Sequence, residues 1–327
     1  MSVERKEIAV MVTGVGAVIG CGIVEGLRTS GRPVKVLGVD RNPGCVGRDA
    51  CDEFYPKPRV PEESEAYLDF WRGLADEADL VLPGIDEDVF YLDAHRGELT
   101  ATRLGLNSRE LIDLARDKWL QIAAAGEWAI PTVCEKDWEE CVELLGPPPF
   151  LLKPRCGSGS RGIVRLENAG DLVRHADGFN MIQRIVGRDD CEFTVGMFGL
   201  GDGRSMAPLI FRRELSTSGH TRFAEVVDDD DVARAAVALG RCLQPVGPTN
   251  YQFRKDGART WLLEINPRFS STTAMRAAFG YNEVAMALGF YLDGQEPAAS
   301  TIRKGRARRV AVDRVELEFD SRVDAGH

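Results

Sequence analysis

The chain has 327 residues, 44% of them apolar and 28% charged, and a formal net charge of −10. That composition suits a globular protein of about two domains, and the negative balance argues against a general polyanion or nucleic-acid binder. No run of ~18 apolar residues is present, so no membrane span is expected.

The N-terminal stretch MSVERKEIAVMVTGVG carries Glu4 and Glu7 and passes straight into a strand-like run. It lacks the basic region, apolar region and cleavage site of a secretion signal. Next, 7–14 (EIAVMVTG) predicts a buried strand, 17–31 a helix ending at Gly31, 34–40 (VKVLGVD) a second strand, and 79–88 (DLVLPGIDED) contains a third. Strands spaced by helices predict βαβ units and a parallel sheet over residues 1–107. A helix starting at a cap-like Ser108 and running to Glu127 opens the next region, 108–180, where IPTVCEK and FLLKPRC are short strands around the helix DWEECVELL. From 181 the runs MIQRIVG, CEFTVGMFG and APLIFRREL read as successive antiparallel strands. A helix over 230–243 then precedes the hairpin NYQFRKDGARTWLLEIN, with Asp256-Gly257 at its turn. This third region is expected to span 181–300. The tail, 301–327, is basic first and acidic later and is assigned no chemistry.

Eight cysteines form no C-x-x-C pair, so they read as reduced thiols of a cytoplasmic protein. Four histidines, none close in sequence, leave little for histidine-based metal or triad chemistry.

Two glycine-rich stretches stand out. In the first, Gly14, Gly16 and Gly20 follow the first strand and open a helix, and Asp40 ends the second strand. A dinucleotide fold places its phosphate loop and ribose acid at such positions. The spacing G-x-G-x-x-x-G departs from that fingerprint, and nothing downstream resembles a hydride-transfer site. The simpler account is that the glycines permit a tight strand–helix turn. The second stretch, FLLKPRCGSGSRGI (150–163), ends an apolar strand in Lys153 and then spaces Gly157, Gly159 and Gly162 with Ser158, Ser160 and Arg161. Free N–H donors and cations together suit closure over a polyphosphate.

WLLEINPRFSS (261–271) closes the set. Side chains two apart on a strand share a face, so Glu264, Asn266 and Arg268 are expected on one side, with Leu263 and Ile265 on the other. Two oxygen donors suit Mg²⁺ completed by phosphate and water, and Gln252 on the partner strand supplies a third if it shares the face of Glu264. A tight two-residue turn at Asp256-Gly257 would put Gln252 and Glu264 on opposite faces, whereas a longer loop can bring them together.

The order RDK (116–118), LLKPRCGSGSRG, MIQR…EFTV and NYQF…LLEINPRFSS resembles the ATP-grasp superfamily over roughly residues 8 to 290. It is most similar to the group of the carbamoyl-phosphate synthase large chain, biotin carboxylase and the amino-acid ligases. The resemblance implies a parallel-sheet N-terminal domain followed by two α+β lobes that enclose ATP. It implies that Lys118 and Lys153 contact ATP phosphates beneath the loop of Gly157, Ser158, Gly159, Ser160 and Gly162. Gln183, Arg184 and Ile185 would line the adenine pocket and Glu192 would meet the ribose. Gln252, Glu264 and Asn266 would bind Mg²⁺ or Mn²⁺, and Arg268 with Arg213 would face the reacting acyl phosphate. The sequence departs from the family twice. Gln183 stands where a Glu is common, and VGRDDCEFTV carries extra residues that offer Asp189 or Asp190 to the ribose.

The implied activity is an ATP-dependent carboxylate–amine ligase that activates its acid as an acyl phosphate. With no amidotransferase domain or second synthetase half in this sequence, small carboxylate and amine metabolites are the expected partners, with a homodimer as an open assembly. FRRELSTSGHT (211–221) offers Arg213 to an anionic substrate, while Arg212, on the alternate face, reads as a surface charge. Other readings are a carboxyphosphate- or carbamoyl-phosphate-forming enzyme, a non-catalytic ATP-binding module and, last, an NAD(P)-dependent dehydrogenase.

Overall fold

A computed structural model of the chain describes residues 7–134, 137–157, 162–217, 219–310 and 315. The elements run in chain order as β1 (Ile8–Thr13), α1 (Val18–Arg28), β2 (Val34–Asp40), β3 (Glu53–Pro56), α2 (Glu65–Ala75), β4 (Leu80–Leu82), α3 (Asp86–Ala94) and β5 (Arg103–Leu104). Their five strands pair in parallel in the order β3-β2-β1-β4-β5. A parallel sheet must be covered on both faces, and β1 shows how. Val10 and Val12 pack with Ile23 and Leu27 of α1. Met11, between them, packs with Trp71 of α2 and Leu92 of α3 on the other side. The run DLVLPGIDED divides between β4 and the first turn of α3.

The helix expected from Ser108 is two helices, α4 (Arg109–Arg116) and α5 (Lys118–Ala124). Ser108 caps the first, its hydroxyl accepting from Leu111 N–H at 3.3 Å. Asp117 breaks the run: it sits in extended backbone (φ −115°, ψ 111°) and its carboxylate accepts from Trp119 N–H, making it the cap of the second helix. Lys118 is therefore the first residue of a helix rather than a mid-helix side chain.

β6 (Thr132–Cys134), α6 (Trp138–Leu145), β7 (Phe150–Pro154), β8 (Val164–Leu166), α7 (Ala169–His175) and β9 (Asn180–Arg184) build a four-stranded antiparallel sheet in the order β6-β9-β7-β8. The strand at residue 181 thus goes with this smaller sheet, not with the strand that follows it.

β10 (Glu192–Leu200), β11 (Leu209–Leu215), β12 (Thr221–Val226), α8 (Asp230–Leu243), β13 (Val246–Asp256), β14 (Arg259–Asn266), α9 (Thr273–Ala278), α10 (Glu283–Ala287) and β15 (Arg306–Arg308) follow among the described residues. Their six strands pair in the order β14-β13-β10-β11-β12-β15, so the start of the tail closes one edge of the largest sheet. One face is apolar: Val195, Met197, Tyr251, Phe253 and Ile265 pack on Val232, Ala236 and Leu239 of α8. On the opposite face, the Phe198 and Phe211 end joins the α1 core through Tyr281 and Leu288, so the parallel sheet and the large sheet share one core. The other end of that face is polar, and the functional side chains gather there.

Candidate functional site

The register of β13 and β14 decides what can meet. Asp256 pairs with Arg259, so the hairpin loop is two residues, Gly257-Ala258, and is tight. From there Phe253 lies opposite Leu262, and simple alternation would set Gln252 opposite Leu263. A β-bulge intervenes, and Gln252 lies opposite Glu264, with Asn250 opposite Asn266. The extra residue restores by a bulge what a longer loop was expected to provide. It also moves Leu263, expected beside Ile265 on the core side, onto the wall of the cavity.

That cavity, about 580 Å³, lies where the three sheets meet. From the smaller sheet and its connections come Lys118, Lys153, Gly157, Gln183, Arg184 and Ile185. From the large sheet come Glu192, Arg213, Gln252, Glu264, Asn266 and Arg268, and the parallel sheet adds Ala17, Gly84 and Asp86. Gly162 is not on the wall, although its neighbour Ile163 is. Ser158, Gly159 and Ser160 lie outside the described residues.

On the smaller sheet, Lys153 Nζ donates to Gln183 Oε1 at 2.6 Å, and Gln183 Nε2 donates to Thr132 Oγ1 at 2.9 Å. Burial lowers the Lys153 ammonium to about 8, although Glu264 across the cavity works against that shift. Lys118 Nζ donates to the Gly157 carbonyl, which ties α5 to the glycine-rich loop. Arg155 on the same loop pairs with Asp117, the cap of α5.

On the large sheet, three residues stand side by side on adjacent strands. Glu192 is opposite both Arg213 and Arg254. Its Oε1 accepts from Arg213 Nε at 3.0 Å and Nη2 at 2.5 Å, and its Oε2 from Arg254 Nη2 at 2.9 Å. Arg213 Nη2 also donates to Gln252 Oε1 at 2.7 Å. Arg213, expected to face an acyl phosphate, is thus engaged by Glu192 and Gln252 in this state. Asp189 pairs with Arg254 and Asp190 with Arg188, both at the exposed surface; of the three acids only Glu192 lines the cavity. Arg212 is exposed and paired with Glu225.

Glu264 has no hydrogen-bond or ion-pair partner among the described residues, although it lines the cavity with Lys153 and Arg268. Asn266 Oδ1 accepts from Arg268 Nη2 at 3.1 Å. The Arg268 guanidinium pairs through two nitrogens with Asp86, at the start of α3. Burial pushes the Asp86 carboxyl up, but Arg268 and Lys118 outweigh it and hold the group below the usual carboxylate range. Among the described residues no three His, Cys, Asp or Glu side chains cluster as a metal site. The set at hand is one carboxylate and two amide oxygens, all hard donors. Each amide oxygen accepts one hydrogen bond and keeps a second lone pair. Such a set fits Mg²⁺ that takes its remaining ligands from phosphates and water.

Sequence reasoning missed the supports. Asp86 was visible only as part of PGIDED. Arg276 is fully buried; it pairs with Glu283 at 3.0 and 3.1 Å and donates to Asn250 Oδ1 at 2.5 Å and Thr194 Oγ1 at 3.3 Å. The room for its guanidinium exists because position 196 is glycine: a Cβ there would lie 2.5 Å from Arg276 Nη1. A Gly and an Arg eighty residues apart carry no local signal of this contact.

The first glycine-rich loop is occupied by its own chain. Asp40 Oδ2 accepts from Gly16 N–H at 2.8 Å and its Oδ1 from Asn42 N–H at 2.9 Å. The acid that a dinucleotide would need on its ribose holds the turn instead.

Comparison with known proteins adds three findings. Residues 189–314 match the family described as ATP-grasp in the biosynthetic pathway with Ter operon. An uncharacterized protein of Sinorhizobium fredii is 29% identical over 148 residues, 40% of this chain and 30% of that one, so the match spans under a third of the relative. Among solved structures, N5-carboxyaminoimidazole synthetase from Staphylococcus aureus, complexed with ADP, superposes with a TM-score of 0.72 at 18% identity, covering 90% of this chain and 80% of the other. The biotin carboxylase domain of Hydrogenobacter thermophilus 2-oxoglutarate carboxylase, in complex with MgADP and bicarbonate, gives 0.71 at 16% identity, covering 91% and 73%. At these identities the likeness is one of fold.

Proposed function

We propose that this chain, which has the ATP-grasp fold, is an ATP- and Mg²⁺-dependent ligase joining a small carboxylate to an amine. The observation that carries the proposal is Glu264, without a partner among the described residues, set by a bulge opposite Gln252 and lining one cavity with Asn266 and Lys153. In this reading Lys118 and Lys153 hold the ATP phosphates, with Gly157, Ser158, Gly159, Ser160 and Gly162 closing over them. Gln183, Arg184 and Ile185 border the adenine and Glu192 borders the ribose. Gln252, Glu264 and Asn266 hold Mg²⁺ or Mn²⁺, which when bound neutralises phosphate charge.

The chemistry follows from a poor leaving group. A carboxylate cannot expel oxide. When a carboxylate oxygen attacks the γ-phosphorus, the bond from that phosphorus to the β,γ-bridging oxygen breaks and ADP departs. The resulting acyl phosphate accepts the amine nitrogen at its carbonyl carbon. The amine proton is lost, the bond from carbon to the phosphate oxygen breaks, and phosphate leaves. Amide, ADP and phosphate balance the acid, amine and ATP. The chain's own share is position and charge: Lys153 draws the phosphates to one wall, and Arg268, fixed by Asp86, steadies the transferred group. Arg213 joins it if ligand arrival releases its bond to Gln252.

The test is ADP release from ATP and Mg²⁺ over pools of carboxylic acids and amines, with bicarbonate alone as a separate reaction. Release that needs one acid and one amine supports the ligase; release with bicarbonate alone points to a carboxyphosphate-forming enzyme instead. Nucleotide binding without turnover in any pool points to a binding module. Glu264→Ala is expected to lower turnover on the order of a hundredfold or more in a folded protein. Wild-type turnover in that variant sinks the assignment.

A further inference from the structure

Beside the large cavity lies a smaller one of about 130 Å³. The two share Asp86, Glu87, Gly157, Glu264, Asn266 and Arg268, so the small pocket opens at the end of the site where the proposed metal-binding oxygens stand, with Gly157 at its border. Lys153, Gln183 and Glu192, on the nucleotide side, do not touch it. Beyond the shared residues the wall is mostly apolar, with Val89 and Phe90 from α3, Ala115 from the last turn of α4 and Ile265 and Pro267 at the end of β14, and with Arg116 as its one charged member. Its size is close to that of the roughly 150 Å³ apolar cavity that accepts benzene in another protein.

The charges around it give a ligand one orientation. On the α4 side of the pocket the Arg116 guanidinium, itself exposed, lies 4.3 Å from the centre of the Phe90 ring, which disfavours a second cation beside that ring. At the mouth Asp86 is paired with Arg268. Glu87 is exposed and has no hydrogen-bond or ion-pair partner among the described residues. A ligand that fits this lining sets an apolar group against Val89, Phe90, Ala115 and Pro267 and a cation on Glu87, away from Arg116. Burying the apolar group displaces water from a wall that offers it few hydrogen bonds.

We propose that this side pocket is the amine subsite, taking a primary amine with a branched four- or five-carbon apolar group whose ammonium rests on Glu87. The proposal rests on the ligase reading for the use of the amine, but its binding site is testable without turnover. The probes are isoamylamine, methylamine and 4-methylpentanoate, titrated by ligand-observed NMR into full-length protein with Mg²⁺ and ATP. Isoamylamine is expected to bind at least tenfold more tightly than methylamine. In Ala115→Phe, which fills the pocket, that ratio falls toward one; Ala115→Leu, a smaller intrusion, gives an intermediate ratio and decides the matter should the Phe variant not fold. Glu87→Gln weakens both amines. Equal binding of the two amines to wild type, a ratio that survives in the variants, or a preference for 4-methylpentanoate overturns the proposal. Failure of the ligase reading has a separate signature: the amine binds with its preference intact, yet no ADP is released with any acid.

Discussion

The two glycine-rich stretches look alike as strings and differ as structures. In the first, glycine is forced by neighbours. A Cβ on Gly20 would lie 2.1 Å from the Gly14 carbonyl oxygen, and one on Gly16 would lie 2.9 Å from Asp40 Oδ2. In the second, Gly157 has nothing within 4 Å of a Cβ, yet its φ is +113°, which side chains rarely adopt. The first loop is a packed joint between strand, helix and the Asp40 carboxylate. In the second, Gly157 stands in open space with its carbonyl held by Lys118, whereas a Cβ on Gly162 would lie 2.9 Å from Pro154 Cγ. Composition reports that glycine is needed; only the surroundings say whether space or backbone freedom needs it.

The largest expected effect lies in the packed joint. Gly20→Ala pushes a methyl into the backbone oxygen of Gly14, and neither side is the end of a flexible chain. A loss of about 3 kcal/mol in unfolding free energy is expected, at the upper end for overpacking, measured by urea denaturation with an unchanged slope. A loss under about 0.5 kcal/mol, within the range of a neutral surface change, would remove the steric half of the contrast.

Next comes the base of the second loop. Lys153→Met removes a cation from the wall of the cavity, and ATP affinity measured by calorimetry is expected to fall roughly tenfold to a hundredfold, the worth of a charged hydrogen bond. The wild type also carries a pH signature. Lys153 is charged below about 8 and neutral above it, and phosphate prefers the charged form. Affinity therefore weakens as pH rises through about 8, and the Met variant loses that dependence. Gln183→Glu sharpens the point: a carboxylate in place of the Gln183 oxygen, which now sits 2.6 Å from Lys153 Nζ, holds the lysine charged and moves the decline to higher pH. A pH dependence unchanged in Lys153→Met would assign the titration to another group.

Much of the fold was legible because its signals are local. The largely apolar runs of β1 and β10, the cap at Ser108 and the helix over 230–243 all follow from neighbours in sequence. The site was legible where residues lie on one strand, as Glu264 and Asn266 do. Three features were not. The break at Asp117 depends on a side chain turning back to cap its own successor. The bulge at Leu263 swaps the face of a residue without altering the hydrophobic pattern around it. The assignment of residues 180–184 to the smaller sheet depends on pairing with β6 and β7, elements 26 or more positions earlier. Long-range support, such as Arg276 on Asn250 or Asp86 on Arg268, is set by packing between sheets, which a single sequence does not display.

The smallest expected effect on stability closes the contrast. Gly157→Ala meets no atom within 4 Å among the described residues, so its cost there is the backbone, which an alanine relieves by relaxing away from φ +113°. Unfolding free energy is expected to fall by less than about 1 kcal/mol, since an exposed loop absorbs most of the local 1–3 kcal/mol of backbone strain. The reshaping moves the Gly157 carbonyl away from Lys118 Nζ. ATP affinity should therefore drop severalfold while the urea midpoint barely moves, with both quantities read on the same preparation. A variant as unstable as Gly20→Ala would mean that the second loop is a packed joint too. A variant unchanged in both quantities would mean that backbone freedom at residue 157 serves neither folding nor the nucleotide, leaving Lys118 and Lys153 to hold the phosphates without the loop.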